Sequence, residues 1–291
     1  MESVVLSPDD HALVHVLRRD GRAPFSALAG ALGVSEHTVA RRYRRLRAAG
    51  AVRVVGVVDG VRLGRRSWTV RIRCTPEVAA PIAAALARRA DTFWVYLLSG
   101  GTEIACNTQP VDPDELLIDK LPRSRGVLDV SAHELLSNSD SDAGVDLDDT
   151  DRRLLDVLAR DGRAPYTRLA SATGWSQSTV TRRMRYLERA GVLRYEVEVP
   201  AAALGQHAEA RLWMSARPAA LAPAVAALNT HTEVTFAAVT TGPTNIVAQV
   251  ACPGPASLYR YLTERVAAVP GVDTLQTAPV LRTVKRFSVP A

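Results

Sequence analysis

The chain has 291 residues, 47% hydrophobic and 23% charged, with a formal net charge of +6 carried almost wholly by arginine. That balance is ordinary for a globular protein of two to three domains, and no apolar run approaches the roughly 18–20 residues that a membrane helix needs. MESVVLSPDD lacks the basic and apolar regions of a signal peptide, and the widely spaced Cys74, Cys106 and Cys252 suit neither a disulfide framework nor a zinc site, so a cytoplasmic location is expected.

The first predicted element is a helix over 9–19, where Leu13, Val16 and Leu17 fall at helical spacing before a DG stop at 20–21. Ser26 is placed to cap a short helix through Leu32, broken by Gly33. Ser35 is placed to cap a third, EHTVARRYRRLRAAG, ending at Gly50. The period then changes to two. WTVRIRC (68–74) alternates Trp68, Val70, Ile72 and Cys74 against Thr69, Arg71 and Arg73, as a half-buried strand does. An alanine-rich helix (78–90), a strand (93–99), a turn at Gly100–Gly101, a strand (103–109), a short helix (113–121) and a strand (127–136) follow. The order is β-α-β-β-α-β, ferredoxin-like.

SNSDSDAGVDLDDTD (137–151) is polar and acidic, a linker that runs into the first turn of another helix. There the pattern starts again. RDGRAP, at Arg19–Pro24, recurs at Arg160–Pro165, and residues 12–50 match 153–191 without a gap at 22 of 39 positions, an offset of 141. A solenoid repeat runs roughly 20–50 residues, so the duplicated object is domain-sized. Thr167, Gly174, Ser176 and Gly191 stand where Ser26, Gly33, Ser35 and Gly50 stood. A second strand-and-helix series follows: ARLWMSA, APAVAALN, VTFAAVT, a turn at Gly242–Pro243, NIVAQV, SLYRYLTERVAAV and VDTLQTAPVLRTV. The expected fold class is α+β. It comprises two winged-helix-like helix-turn-helix domains (1–55 and 148–196), two ferredoxin-like βαββαβ domains (64–137 and 205–291) and an acidic linker (138–147).

Two short helices about a glycine, the second of them basic, match the helix-turn-helix pattern. At about 100° per residue, Val39, Tyr43 and Leu46 face inward while His37, Arg41, Arg44 and Ala48 point away, with Arg45 nearby. In the second copy Val180, Met184 and Leu187 face inward while Ser178, Arg182 and Arg185 point out. An outward arginine can bind guanine O6/N7 or hold a phosphate. The candidate DNA-binding residues are therefore Glu36, His37, Thr38, Ala40, Arg41, Arg42, Arg44 and Arg45 in the first copy. In the second they are Gln177, Ser178, Thr179, Thr181, Arg182, Arg183 and Arg185. Thr38, Arg42, Thr179 and Arg183 lie at the flanks and are expected on phosphate. The plain alternative is a surface helix with a solvated arginine face; its recurrence in both copies argues for DNA.

ALxxxLGVSxxTVxRRxxRLxxxG followed by a β-α-β-β-α-β domain resembles the Lrp/AsnC (leucine-responsive) transcription regulators, over nearly the whole chain and twice. The resemblance implies double-stranded DNA as a partner, self-association through the sheet domains and a small-molecule effector, an amino acid or related metabolite, held near the β2–β3 turn of each sheet domain. The turn residues here are Gly100, Gly101, Thr102 and Glu103, and Gly242, Thr244 and Asn245. The family's turn commonly reads Gly-Asp-x-Asp; its first aspartate is replaced by Gly101 and Pro243, its second by Glu103 and Asn245. A tight hairpin with no ligand explains the same residues.

No catalytic group, metal site or cofactor is expected. His133 and Glu134 are adjacent on a strand and so face opposite sides, and His207 and His231 lack partners at useful spacing. An enzyme reading stays open because siroheme decarboxylases resemble the same two-domain module and fused pairs exist. A sensor that binds no DNA would be expected to lose arginines from one helix. The two heads differ at Glu36/Gln177, His37/Ser178 and Ala40/Thr181, so the chain is expected to act as a covalent pseudo-dimer on an asymmetric site.

Overall fold

The computed structural model describes residues 5–110, 125–136 and 144–287. The expected helix at 113–121 lies outside these residues, as does 138–143 of the linker. In chain order the elements are α1 (Pro8–Arg19), α2 (Phe25–Leu32), α3 (Glu36–Ala48), β1 (Arg53–Val58), β2 (Trp68–Cys74), α4 (Pro76–Arg88), β3 (Thr92–Leu98), β4 (Glu103–Thr108) and β5 (Val127–Leu136). The second copy supplies α5 (Asp149–Arg160), α6 (Tyr166–Thr173), α7 (Gln177–Arg189), β6 (Leu193–Glu198), β7 (Ala208–Ala216), α8 (Leu221–Leu228), β8 (Val234–Thr240), β9 (Ile246–Cys252), α9 (Pro255–Arg260) and β10 (Val272–Lys285). The chain separates into two compact units, residues 1–64 with 141–205 and residues 65–140 with 206–291. Each unit therefore unites like parts of the two copies.

In the first unit, both copies open on a reciprocal cap. Ser7 Oγ accepts from Asp10 N while the Asp10 carboxylate accepts from Ser7 N; Asp148 and Asp151 repeat the arrangement at α5. Ser35 and Ser176 cap α3 and α7 as expected, accepting from Thr38 N and Thr179 N. Ser26 and Thr167 do not cap. Each is the second residue of its helix, and Pro24 or Pro165 occupies the cap with no side-chain bond. The proline ring already sets an extended entry, and the Pro24 carbonyl accepts from Ala27 and Leu28.

The strands after each trihelical head pair with one another. β1 runs antiparallel to β6, from Arg53 opposite Glu198 to Val58 opposite Leu193. Val55 faces Glu196, its own equivalent in the second copy, and the same offset turns Arg53↔Glu198 into Val57↔Arg194, also in the ladder. The register thus carries a local twofold. It also exchanges core: Val197, Val199 and Ala203 join the first head's cluster around Leu13, Leu17, Leu28 and Leu46, and Val58 and Leu63 pack on the second head's cluster around Leu154, Leu158, Leu169 and Leu187. Gly162 is required at this seam, because a Cβ there would stand 2.9 Å from the Val55 carbonyl carbon.

In the second unit, β5-β2-β4-β3 and β10-β7-β9-β8 each show the ferredoxin-like strand order. Their outer faces are covered by helices, α4 on one and α8 with α9 on the other. The two sheets do not stay separate. β10 pairs with β7 over 272–279 and then with β3 over 280–285, and β5 pairs with β2 and then, at Leu135 and Leu136, with β8. An eight-stranded closed barrel results. Closure satisfies edge strands that an open ferredoxin-like sheet would leave unpaired. Tyr96, Leu98, Ala105, Trp213, Val247 and Ala278 form a cluster of their own between the sheets.

Candidate nucleic-acid interface and ligand turns

The sequence supplies an amphipathic α3 and α7; the neighbouring helix decides what each arginine does. Val39, Tyr43 and Leu46, and Val180, Met184 and Leu187, are buried as expected. Glu36, His37, Arg41 and Arg44 are exposed on α3, and Gln177, Ser178, Arg182 and Arg185 on α7. Among the described residues no hydrogen bond or ion pair engages the guanidinium groups of Arg41, Arg182 or Arg185. Arg44 donates only to the Ala40 carbonyl of its own helix, at 3.1 Å. Ala40 and Thr181 are half-buried, and Thr181 Oγ1 donates to the Gln177 carbonyl at 2.8 Å.

Arg42 and Arg183 are placed differently. Arg183 grips the buried Asp151 with two bonds, Nε to Oδ1 at 2.8 Å and Nη2 to Oδ2 at 2.6 Å, and reaches the Asp146 carbonyl at 3.0 Å. Those bonds to Asp151 hold the Arg183 guanidinium's pKa above its ordinary value. Arg42 contacts Asp9 at 2.5 Å and Asp10 at 3.6 Å, and Arg45 donates to Asp10 at 2.6 Å. Burial favours protonation of Asp10, but bonds from Ser7 and Arg45 outweigh it and leave its pKa below the ordinary 3.8. These arginines therefore bind the third helix of each head to the cap of the first. Thr38 and Thr179 bond the capping serines, their Oγ1 atoms 2.9 Å from Ser35 Oγ and Ser176 Oγ.

The repeated RDGRAP joins the two heads, a use that its local pattern does not show. Arg22 donates to the carbonyls of Gly162 (2.6 Å) and Ala164 (3.1 Å), and Arg163 to those of Gly21 (2.6 Å) and Ala23 (2.8 Å). Each also lies over rings of the opposite head, Arg22 over Tyr166 and Tyr195, Arg163 over Phe25 and Tyr43. The exact repeat of the hexapeptide was the available signal.

The two turns expected to hold a ligand are built unlike one another. Gly100 and Gly101 have φ of 68° and 93°, and Thr102 Oγ1 donates to Ser99 O. Glu103 is buried and answers Arg71, with Nη2 to Oε2 at 3.1 Å and Nε facing Oε1 at 3.0 Å. In the other turn, Asn245 spends its amide on Ala216, accepting from N and donating to O, both at 2.8 Å. The Thr244 carbonyl accepts from Thr240 Oγ1. Gly242 has φ +96° and lies against His133, so that a Cβ would stand 2.1 Å from His133 Nδ1.

Two basic helix-turn-helix heads with two sheets of ferredoxin-like strand order match the architecture of a DNA-binding regulator, and comparison with known proteins agrees. The AsnC-type helix-turn-helix domain matches residues 6–47 and 147–188, and the Lrp/AsnC ligand binding domain matches 210–290. HTH-type transcriptional regulator FL11 of Pyrococcus abyssi is 30% identical over 142 residues, 48% of this chain and 93% of that protein. The leucine-responsive regulatory protein of Rhizobium meliloti is 32% identical over 145 residues, again 48% and 93%. The siroheme decarboxylase NirDL shares the fold, with a TM-score of 0.70 over 97% of this chain and 94% of its own, at 15% identity. The chain belongs to the Lrp/AsnC family, with the family's module present twice. Among the described residues no helix is long and apolar enough to cross a membrane.

Proposed function

We propose that this chain is a sequence-specific DNA-binding transcription regulator whose two heads read an asymmetric site as one covalent pseudo-dimer. The observation that carries the reading is the division of labour among the arginines. Arg42 and Arg183 hold the recognition helices in place, while Arg41, Arg44, Arg182 and Arg185 stay exposed for a duplex. Glu36, His37 and Ala40 on α3, and Gln177, Ser178 and Thr181 on α7, sit at the helix starts that reach base edges and give each head its own preference. Thr38 and Thr179, bonded to the capping serines, are proposed to contact phosphate.

Binding is proposed to respond to a small metabolite, an amino acid or related molecule, at the turns Gly100–Glu103 and Gly242–Asn245, and chains are proposed to self-associate. The likeness of fold to NirDL supports a second reading, a siroheme decarboxylase-like enzyme. Selection of bound sequences from a random duplex pool, with footprinting of the winners, tests the first reading. Failure to enrich any sequence, together with turnover of siroheme by the purified chain, would establish the second.

A further inference from the structure

The interior of the barrel holds a guanidinium, that of Arg211, which no carboxylate among the described residues pairs. Strand alternation sends Ala210, Leu212 and Met214 of β7 into the helix-covered core and turns Arg211 and Trp213 to the other face, where Trp213 joins the cluster between the sheets. Two guanidinium groups stand near the Trp213 ring, Arg71 at 5.1 Å and Arg211 at 5.4 Å from its centre. Glu103 answers Arg71. Among the described residues no carboxylate answers Arg211, whose Nη2 donates to two neutral oxygens, Thr69 Oγ1 at 2.9 Å and Asn107 Oδ1 at 3.2 Å. Burial, which leaves Arg211 2% exposed, pulls its pKa down to about 10, well below the ordinary guanidinium value, with Tyr96 and Cys106 acting the other way.

The groups around Arg211 are also unsatisfied. Arg211 Nε, Trp213 Nε1 and both polar atoms of the Gln249 amide are buried with no hydrogen-bond partner among the described residues. Gln249, 3% exposed, is directly opposite Arg211 in the β7–β9 register, and Trp213, 1% exposed, is two residues along the same face. Opposed side chains on one face lie about 5 Å apart at Cβ. A buried guanidinium with no counter-charge is costly, and so is each orphaned donor. Three kinds of N–H donor beside an unneutralised cation are what an anion uses; a cation would answer only the Gln249 Oε1 acceptor, and an apolar ligand none of these groups.

The arrangement occurs once per chain. Gly100 and Gly242 set an offset of 142 for the sheet domains, so Arg211 and Gln249 correspond to Thr69 and Asn107, and Trp213 to Arg71. We propose that the barrel interior beside Arg211 is a binding site for one small monovalent anion of carboxylate size, held by Arg211, Trp213 and Gln249. A carboxylate metabolite and a free inorganic anion share that chemistry.

The full chain is exchanged into buffer whose only anion is a bulky sulfonate, then titrated at constant ionic strength with sodium formate, acetate or chloride. Tryptophan emission and the thermal midpoint are both followed. We expect a saturable response with one site per chain; preference for formate or acetate identifies a carboxylate ligand, and preference for chloride an inorganic one. Arg211→Met removes the charge and keeps the length, so it should weaken apparent binding at least about tenfold. Trp213→Phe should abolish the emission change while leaving a midpoint shift. If Arg211→Met does not fold, Gln249→Leu serves in its place and should weaken binding several-fold, at about threefold or more. No saturable response to any of the three anions, or an undiminished response in the variants, would overturn the site.

Discussion

Arg22 and Arg163 each lay their guanidinium on the other's loop: Arg22 Nη1 is 2.6 Å from the Gly162 carbonyl, and Arg163 Nη1 is 2.6 Å from that of Gly21. The bonds clamp the two heads about the twofold of the β1–β6 ladder. Replacing either arginine with alanine should cost about 2–3 kcal/mol, since two charge-assisted bonds and stacking on aromatic rings are lost together. Chemical denaturation measures that loss. Binding to a duplex with both half-sites should fall more than binding to either half-site alone.

The exposed arginines lead to a test of DNA reading. Arg41→Ala with Arg44→Ala, and Arg182→Ala with Arg185→Ala, should each weaken binding without lowering stability. Each lost phosphate contact should reduce the salt slope by about one, and each lost base contact should cost roughly 1–3 kcal/mol. Arg183→Ala should do the reverse, lowering stability first, because it strands the buried Asp151. Full affinity in both double variants would reject helix-turn-helix recognition.

Asp10 predicts the acid limb. Its folded pKa lies below the ordinary 3.8, although burial acts the other way, because Ser7 and Arg45 bond the carboxylate. A carboxyl held low in the folded state adds stability that is complete above the unfolded value and is lost as pH falls through the folded one. Stability should therefore decline below about pH 4, and Asp10→Asn should flatten that limb while costing about 1–2 kcal/mol at neutral pH. Thermal melts between pH 2 and pH 7 decide this.

The two turns predict unequal ligand sites. Glu103 is tied to Arg71 and Asn245 to the Ala216 backbone, so the two offer different groups to a metabolite. Calorimetry against a panel of amino acids and related molecules should return fewer than two sites per chain, or two of unequal affinity. Two equal and independent sites would contradict it.

The recognition helices predict an asymmetric operator. Half-site centres on one DNA face should lie about 34–36 Å apart or a multiple of that. Exchanging Glu36, His37 and Ala40 for Gln, Ser and Thr should move the selected site toward a palindrome. The shift should be partial, since Tyr186 stands where the first helix has Arg45. A palindromic optimum in the wild type, unchanged by the exchange, would rule out the covalent pseudo-dimer as the reading unit.

By itself the sequence determined whatever depends on short range. The Ser35 and Ser176 caps, glycine stops, the 3.6 and 2.0 periods and the outward set on α3 and α7 are local features, and β2, β5 and β8 span the residues where the sequence places them. The repeat likewise made the duplication readable. Tertiary structure alone decided the partners. Arg42 and Arg41 are neighbours with the same side chain, yet Arg42 meets an acidic cap that α1 brings beside it, while Arg41 meets only solvent. Arg22 finds carbonyls 140 residues away because β1 and β6 pair in that one register. Pairing of β10 with both β7 and β3 closes the barrel and leaves Arg211 without a carboxylate among the described residues. No local pattern encodes these outcomes, because a charge's role is set by which opposite charge, carbonyl or water lies within a few ångströms of it, and only the folded chain brings such groups together.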